Sequence, residues 1–359
     1  MRFKSRMAGE HISLLHSIIT PISRLTSSSS SSQSIGSGST IYLDPTVLRI
    51  SSRGGGSATN TDDNASGIAC FAELTAKNGI FLEHKIESIA GNVIVFDVDL
   101  VQLRMALAAT LSSMGSGGWS SEGKQPSAPL HNSGDVEDNN KNSASLRNSF
   151  GQYNNNKSSS FIVVMKLAKR SGLPCLCLDA SCINGTLDVH HAVPVRILRA
   201  EEWPNHLPPL VNNPDVQLEF TIDRPLRPVI ERLKSISPII YVDGSMSGEF
   251  VLRIDCDSVS IKTFYDKLVP RADEDSVDKE DGAITDDIAT KTCTLKMDSK
   301  KLSSCLQWQQ TMGRGAVNSY IVCMIRNEMM VVHVMLNPEE LGFFTYYVPV
   351  HYLGGDDLD

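Results

Sequence analysis

The residues of this sequence that have the makings of chemistry are few. His190 and His191 stand side by side, and Cys175, Cys177 and Cys182 precede them within one short stretch. These are the side chains that zinc and similar metals prefer. On a strand, residues two apart share a face, so Cys175 and Cys177 point the same way while Cys182 lies beyond the next turn, which separates the would-be ligands. Small buried hydrophobes are the simpler reading of such thiols. The other cysteines, at 70, 256, 293, 305 and 323, make no C-x-x-C pair, so neither a zinc ribbon nor a thioredoxin-type redox site is expected. Asp97 and Asp99 offer a carboxylate pair to a cation, yet Asp99 stands where a helix begins and reads better as its cap. Nucleotide chemistry fares no better. Gly123-Lys124 is followed by Gln125 where a phosphate-binding loop needs Ser or Thr, and Gly36-Ser37-Gly38 lies in a serine tract with no strand feeding it. No serine, cysteine and histidine grouping stands out, so no catalytic residue, metal or cofactor is assigned.

A chain without a reactive cluster must act through its surface, and composition says what kind of surface. The 359 residues, 41% hydrophobic and 21% charged, fit about two globular domains. The longest apolar stretches, such as Met329 to Leu336, fall far short of the roughly 18 to 20 residues that cross a bilayer, so no membrane span is expected. Scattered cysteines with no C-x-x-C pair fit a reduced intracellular compartment. Met1-Arg-Phe-Lys-Ser-Arg-Met, with Ser27 to Ser32 behind it, has the basic, serine-rich look of a mitochondrial presequence. Its alternation is nevertheless that of an edge strand leading into a helical pattern. Net charge is −8, which argues at first sight against a nucleic-acid partner, because phosphate binding needs positive charge. The acids are concentrated, however. Residues 271–290 carry a net −6 and the last four residues −3, which leaves the rest of the chain at +1.

Residues 112–160 hold thirteen serines, eight asparagines and six glycines, a composition that cannot join a core and reads as a disordered insertion. The acidic run 271–290 and the shorter serine run 27–40 read as loops of the same kind, which surface turns tolerate at small entropic cost. With these set aside, the pattern repeats itself. The periodicity predicts a strand at 2–7, a helix at 10–24, strands near 41–50, 68–74, 81–87 and 92–97, a helix at 98–111, and strands near 161–167, 175–180 and 187–198. It then predicts a strand at 215–221, a helix near 225–236, strands at 239–243, 249–254, 258–264 and 293–297, a helix at 298–310, and strands at 319–325, 330–336 and 343–350. Between the halves, Ala200 to Pro214 contains four prolines and is expected to be an extended connector. The organisation expected is therefore a first domain at 1–198, a connector at 199–214 and a second domain at 215–353.

The four helices have polar outward faces that carry Arg24, Arg104, Arg227, Arg232, Lys234, Lys300 and Lys301. Charges on helix surfaces are commonly just solvated. A basic face without interleaved aromatics or a groove-reading motif would touch phosphates and be blind to base sequence.

A doubled strand, helix, strands, helix, strands pattern with a proline-rich connector resembles the DNA sliding clamps. Local sequence is most similar to the Hus-one family, one subunit type of the nine-one-one DNA-damage checkpoint clamp. The stretches that carry the resemblance are Met1-Arg-Phe-Lys-Ser-Arg, Leu173-Pro-Cys-Leu, His191-Ala-Val-Pro-Val-Arg-Ile-Leu, Asn213-Pro-Asp-Val-Gln-Leu, Val229-Ile-Glu-Arg-Leu-Lys-Ser-Ile-Ser and Gly248-Glu-Phe-Val-Leu-Arg-Ile-Asp. No single motif decides it; the ordered set does, over the whole chain apart from the insertions, in which this sequence departs from the family.

The resemblance implies an α+β clamp fold of two similar domains, each with two helices packed on antiparallel sheets. It also implies a non-enzymatic role in a heterotrimeric ring with Rad-nine-like and Rad-one-like subunits, placed on double-stranded DNA by a replication-factor-C-like loader. The expected compartment is the nucleus, with some nucleolar or unassembled cytoplasmic protein, and the expected processes are checkpoint signalling, the cell cycle, double-strand break repair, meiosis and telomere maintenance. A homotrimeric replication clamp is the alternative, and a cytosolic thiol or metal enzyme a more distant one. Helix charge separates the first two. A homotrimer must supply all its inner-face charge from one chain, whereas Glu10 offsets Arg24 and Asp99 offsets Arg104 here. By analogy with such rings, Val189, Val193, Val195 and Ile197 mark one joining edge and Val259, Ile261 and Phe264 the other. Trp203, Leu207 and Leu210 are the apolar handles of the connector, where clamp partners dock.

Overall fold

Alternation in the first residues puts Phe3, Ser5 and Met7 inside and Lys4 outside, and that two-residue rhythm builds most of the molecule. The computed structural model describes residues 1–26, 39–53, 67–76, 79–116, 161–182, 188–271, 290–313 and 315–351. The first half runs β1 (Arg2–Ala8), α1 (Gly9–Thr26), β2 (Ser39–Leu43), β3 (Val47–Arg53), β4 (Ala69–Thr75), β5 (Glu83–Glu87), β6 (Ile94–Val98), α2 (Leu100–Ser116), β7 (Phe161–Arg170), β8 (Leu173–Cys182) and β9 (Asp188–Ile197). A 3-10 helix, Ala200–His206, follows. The second half runs β10 (Val216–Thr221), α3 (Arg227–Lys234), β11 (Ile239–Ser245), β12 (Glu249–Cys256), β13 (Val259–Tyr265), β14 (Val269–Pro270), β15 (Thr292–Asp298), α4 (Ser299–Cys305), α5 (Trp308–Thr311), β16 (Val317–Ile325), β17 (Met329–Leu336) and β18 (Gly342–Pro349). The order of elements is the same in each half, with α4 and α5 standing where the first half has α2.

All but four of these strands join one fourteen-stranded sheet, in the order β14-β10-β16-β17-β18-β4-β3-β2-β6-β9-β8-β7-β1-β5; β13-β12-β11-β15 form a second sheet. The halves meet where β18 pairs antiparallel with β4, from Gly342 opposite Leu74 to Tyr347 opposite Ala69. Gly342 has φ +128°, and a Cβ there would stand 2.0 Å from the Glu73 carbonyl oxygen, so only glycine lets the strands approach. The helices form a connected layer on the sheets: α1 packs against α2, α3 against α4, and α1 also reaches α4 and α5. One core runs through both halves. In the second, Trp308 is 1% exposed and meets Tyr320 edge-on at 5.2 Å, while Phe220 stacks on Tyr320 at 5.0 Å. Among the described residues no helix is long and apolar enough to cross a membrane.

Several local expectations need correcting. The single strand at 41–50 is a hairpin, because the Asp44 carboxylate accepts the Thr46 and Val47 amides at 2.6 and 2.7 Å and folds the chain back. The helix at 298–310 breaks after Cys305 and resumes at Trp308. α2 continues through Ser112 to Ser116, into the stretch read as insertion; 117–160 lies outside the described residues, as do 27–38 and 272–289. The connector is not extended throughout. Its first part turns into the 3-10 helix, which tolerates Pro204 because such a turn needs few amide donors. The Glu202 amide donates to Arg199 O at 2.9 Å, and the Glu202 carboxylate takes the Arg199 amide at 2.9 Å.

Candidate functional site

Three features stand out as functional surface: the helix layer, the unpaired strand edges and the connector. Each helix pair is positioned by a carboxylate cap at the same point of the repeat. Asp99 accepts the Val101 and Gln102 amides at 2.8 and 3.2 Å at the start of α2. Asp298 accepts those of Lys300 and Lys301 at 2.8 and 2.9 Å at the start of α4. Such caps satisfy amides left open by the first turn and point the helices.

The basic residues expected on this layer divide into two groups. Arg24, Arg232 and Lys300 are exposed, and Lys301 is half-buried. Arg227, Lys234 and Arg104 are structural to a greater degree. The Arg227 side chain is only 12% exposed and pairs with Glu231 at 3.2 Å; Lys234 pairs with the same carboxylate at 2.5 Å. Ser303 of α4 donates its hydroxyl to Glu231 and accepts from Lys234 at 3.3 Å. Glu231 is thus the centre of a network that fastens α3 to α4, and it cancels much of the charge counted on α3. Arg104 is half-buried against α1, where burial first and then its charge lower the His16 pKa.

The Lys234 and Ser303 hydrogen bonds, followed by the Lys234 and Arg227 charges, bring the Glu231 pKa down to about 2. A depressed carboxylate stabilises the fold above its unfolded value of 4.5 and loses that contribution as pH falls toward 2. Glu231→Gln is therefore expected to lower unfolding free energy by about 1 kcal/mol at pH 7. Urea unfolding should show the gap between the two proteins closing as pH falls from 4.5 toward 2. A gap independent of pH would mean that the charge of Glu231 is not what holds the helices.

Of the two expected joining edges, β13 is open: it ends the four-stranded sheet and pairs only with β12 among the described strands. Phe264 is 70% exposed and Val259 37% on it, with Ile261 and Tyr265 packed against the core. β9 differs. Residues 188–194 pair with β8, while Val195 and Ile197 already pair with Val98 and Phe96 of β6. The Val193 and Val195 side chains are buried in this chain's own core, and Val189 and Ile197 are packed against it. What β9 can offer a neighbour is the outer backbone of 188–194; the apolar alternation there is the signature of core.

The connector is clipped to the sheet by a charge network that sequence reading did not find. Arg196 grips Asp97 Oδ2 through Nε and Nη2 at 2.9 and 2.7 Å and reaches Glu202 at 2.9 Å through Nη1. Thr40 donates to Asp97 Oδ1 at 3.1 Å and meets His206 Nδ1 at 2.7 Å. Asp97, a cation ligand candidate, is thereby a buried partner of arginine. Beside the network lies a cleft of about 310 Å³ whose lining includes Tyr42, Val95, Trp203 and Leu207. Trp203 is half-buried; Leu207 and Leu210 are exposed at 47% and 102%. Cys175 and Cys177 are buried at 4% and 1%, the Cys182 side chain lies outside the described residues, and no group of three metal-ligating side chains comes together among those described.

Known proteins resemble this chain along its length. The family described as Hus1-like protein matches residues 1–351. Checkpoint protein HUS1 of Homo sapiens is 25% identical over 181 residues, covering 49% of this chain and 60% of the human protein. Checkpoint protein hus1 of Schizosaccharomyces pombe is 25% identical over 195 residues, 52% of this chain and 66% of that protein. These two alignments each span less than two thirds of the relative. Checkpoint protein hus1 homolog of Dictyostelium discoideum is 24% identical over 289 residues, 80% of this chain and 83% of the relative. Among solved structures, PCNA from Thermococcus kodakaraensis superposes with a TM-score of 0.53 at 10% identity, covering 97% of this chain and 100% of that one. The shared fold is that of a clamp, and with a family match reaching from the first strand past the last, this chain belongs to the Hus1-like family.

Proposed function

We propose that the chain is a non-enzymatic subunit of a heterotrimeric DNA-damage checkpoint clamp that encircles duplex DNA in the nucleus and serves as a platform for signalling and repair proteins. Its neighbours in the ring are Rad-nine-like and Rad-one-like subunits, and a replication-factor-C-like loader places it on DNA. In this reading residues 1–198 and 215–353 are two clamp domains joined by the connector at 199–214. β13 and the outer backbone of β9 continue the sheet into the neighbours, and partner proteins dock at Trp203, Leu207 and Leu210.

The observation that carries this reading is the doubled order of elements, with the two halves joined across one fourteen-stranded sheet, a connected helix layer and a raw, partly apolar edge at β13 of the second sheet. A ring holds DNA by topology, so its helices need only weak, mobile phosphate contacts, and the modest charge left exposed on α3 and α4 suits sliding.

Reversing Arg232, Lys300 and Lys301 together is expected to shorten retention of the assembled complex on circular DNA severalfold and to flatten its salt dependence by a slope of about 2 to 3. Co-purification with both partners should stay intact. Equal retention at physiological salt would remove the helices as the DNA-facing surface. Native mass spectrometry of the chain, alone and with its partners, tests the ring itself: a 1:1:1 complex is expected, and a stable homotrimer would favour a replication clamp.

A further inference from the structure

The face of the large sheet turned away from the helices carries an unusual rung. Register sets Lys4 of β1 directly opposite Lys85 of β5 on one side and Lys166 of β7 on the other. Three lysines therefore share one face of adjoining strands about 4.8 Å apart, and like charges directly opposite one another work against folding. Neighbouring rungs avoid this. Arg6 pairs with Glu83 at 2.9 Å, and Arg2 stands opposite Glu87. Lys166 is relieved sideways by Asp179 at 2.5 Å, whose other oxygen meets His190 at 3.0 Å. Lys4 and Lys85 are exposed and make no ion pair among the described residues. The same rung continues through Cys177 to Ala192, which with Arg170, Asp179, His190 and His191 lines an open pocket of about 340 Å³.

We propose that this rung and its pocket are a docking site for a short acidic peptide segment of a partner protein. One carboxylate or phosphate sits over Lys4 and Lys85, and a second enters the pocket beside Arg170 and His190. Charge selects the occupant: Lys4 and Lys85 stand opposite each other without an ion pair among the described residues, a conflict that a single Glu at position 4 would resolve, and an anion laid across them restores neutrality. From β5 to β9 the path is about 19 Å, the reach of about six extended residues. Glu83 and Glu87 border the rung at the β5 end and would repel the unbroken phosphate chain of a duplex, whereas Asp179 in the pocket is already engaged by Lys166 and His190, so an isolated acidic motif fits where nucleic acid does not. The surface lies opposite the helix layer, so the proposal stands apart from whatever those helices touch.

Fluorescence anisotropy of the full chain with a labelled ten-residue peptide of Ser, Asp and Glu, phosphorylated and unphosphorylated, tests it. Both forms should bind in a salt-sensitive way, the phosphorylated one more tightly. Lys4→Glu should weaken binding at least tenfold and Lys85→Gln severalfold, while Lys300→Glu on α4 should leave it unchanged. Because Lys4→Glu also relieves the rung, it should raise the melting temperature by about 2 °C, which separates loss of binding from loss of fold. Undiminished peptide binding in Lys4→Glu, a melting temperature that falls, or a thirty-base-pair duplex that displaces the peptide would each overturn the proposal.

Discussion

Phe264→Asp is expected to abolish assembly with the partner subunits while leaving the chain folded. Phe264 is 70% exposed on a terminal strand whose outer backbone pairs with nothing described. Exposed strand edges are normally protected by charge, proline or a covering element, because an open ladder recruits another chain. β14, at the end of the larger sheet, follows that rule with its two residues and Pro270. β13 instead offers Phe264 and Val259 to solvent, which makes sense if a neighbouring strand covers them. An aromatic anchor at such a joint is worth about 2 kcal/mol or more, some thirtyfold in affinity, and a carboxylate in its place adds the cost of desolvating a charge. Size-exclusion chromatography with light scattering should show partner subunits no longer co-eluting, with the thermal melt of the isolated chain nearly unchanged. Val259→Pro or Ile261→Pro should break assembly by a different route, removing an amide donor from the ladder. Intact complexes in all three variants would take β13 out of the interface.

Gly342→Ala is expected to cost the fold about 3 kcal/mol, because an added methyl there meets the closest backbone atom found at any described glycine. The added carbon would fall 2.0 Å from Glu73 O and 3.0 Å from Leu74 Cα. Both are backbone atoms of β4, so no side chain can swing aside. The residue must also keep φ at +128°, which side-chain-bearing residues resist. Relief requires the start of β18 to lift off β4, at the junction of the two halves. Urea unfolding should show the loss in midpoint, and hydrogen exchange should rise first at Phe343 and Phe344 and at Glu73 and Leu74. An unchanged midpoint would contradict the close approach of these strands.

Most of the fold was legible because apolar spacing reports burial directly. The residues that spell out β1, β8, β12 and β16 to β18 alternate or run apolar, and each strand lies within a few residues of its expected span. The exceptions have identifiable causes. Ile41, Leu43, Leu48 and Ile50 are all buried, so spacing alone joined two strands into one; the Asp44-Pro45 pair between them was the missed turn signal. The helix break after Cys305 carries no glycine or proline to announce it. Charge was harder to read than burial. Counting bases on α3 overlooked that Arg227 and Lys234 stand four before and three after Glu231, the spacings at which helical side chains meet, and the structure shows all three engaged. Analogy with clamp rings places Val193 and Val195 on a joining edge, and their side chains are buried in this chain's core, as alternation implies. The Arg196–Asp97–Glu202 clip was out of reach, since its members come from β9, β6 and the connector and no short-range spacing links them.

The unbroken ladder from β14 to β5 has a mechanical consequence. Since β18 and β4 are adjoining rungs of one sheet, backbone hydrogen bonds as well as the connector tie the halves together. In the proposed ring, opening would then fall on the seams between polypeptides, whose bonds can part without tearing any protomer. Cutting the chain within the linker and purifying the pieces apart would leave Ala69–Thr75 and Gly342–Pro349 as two bare, sticky borders. Such fragments should clump when separate and rejoin when mixed.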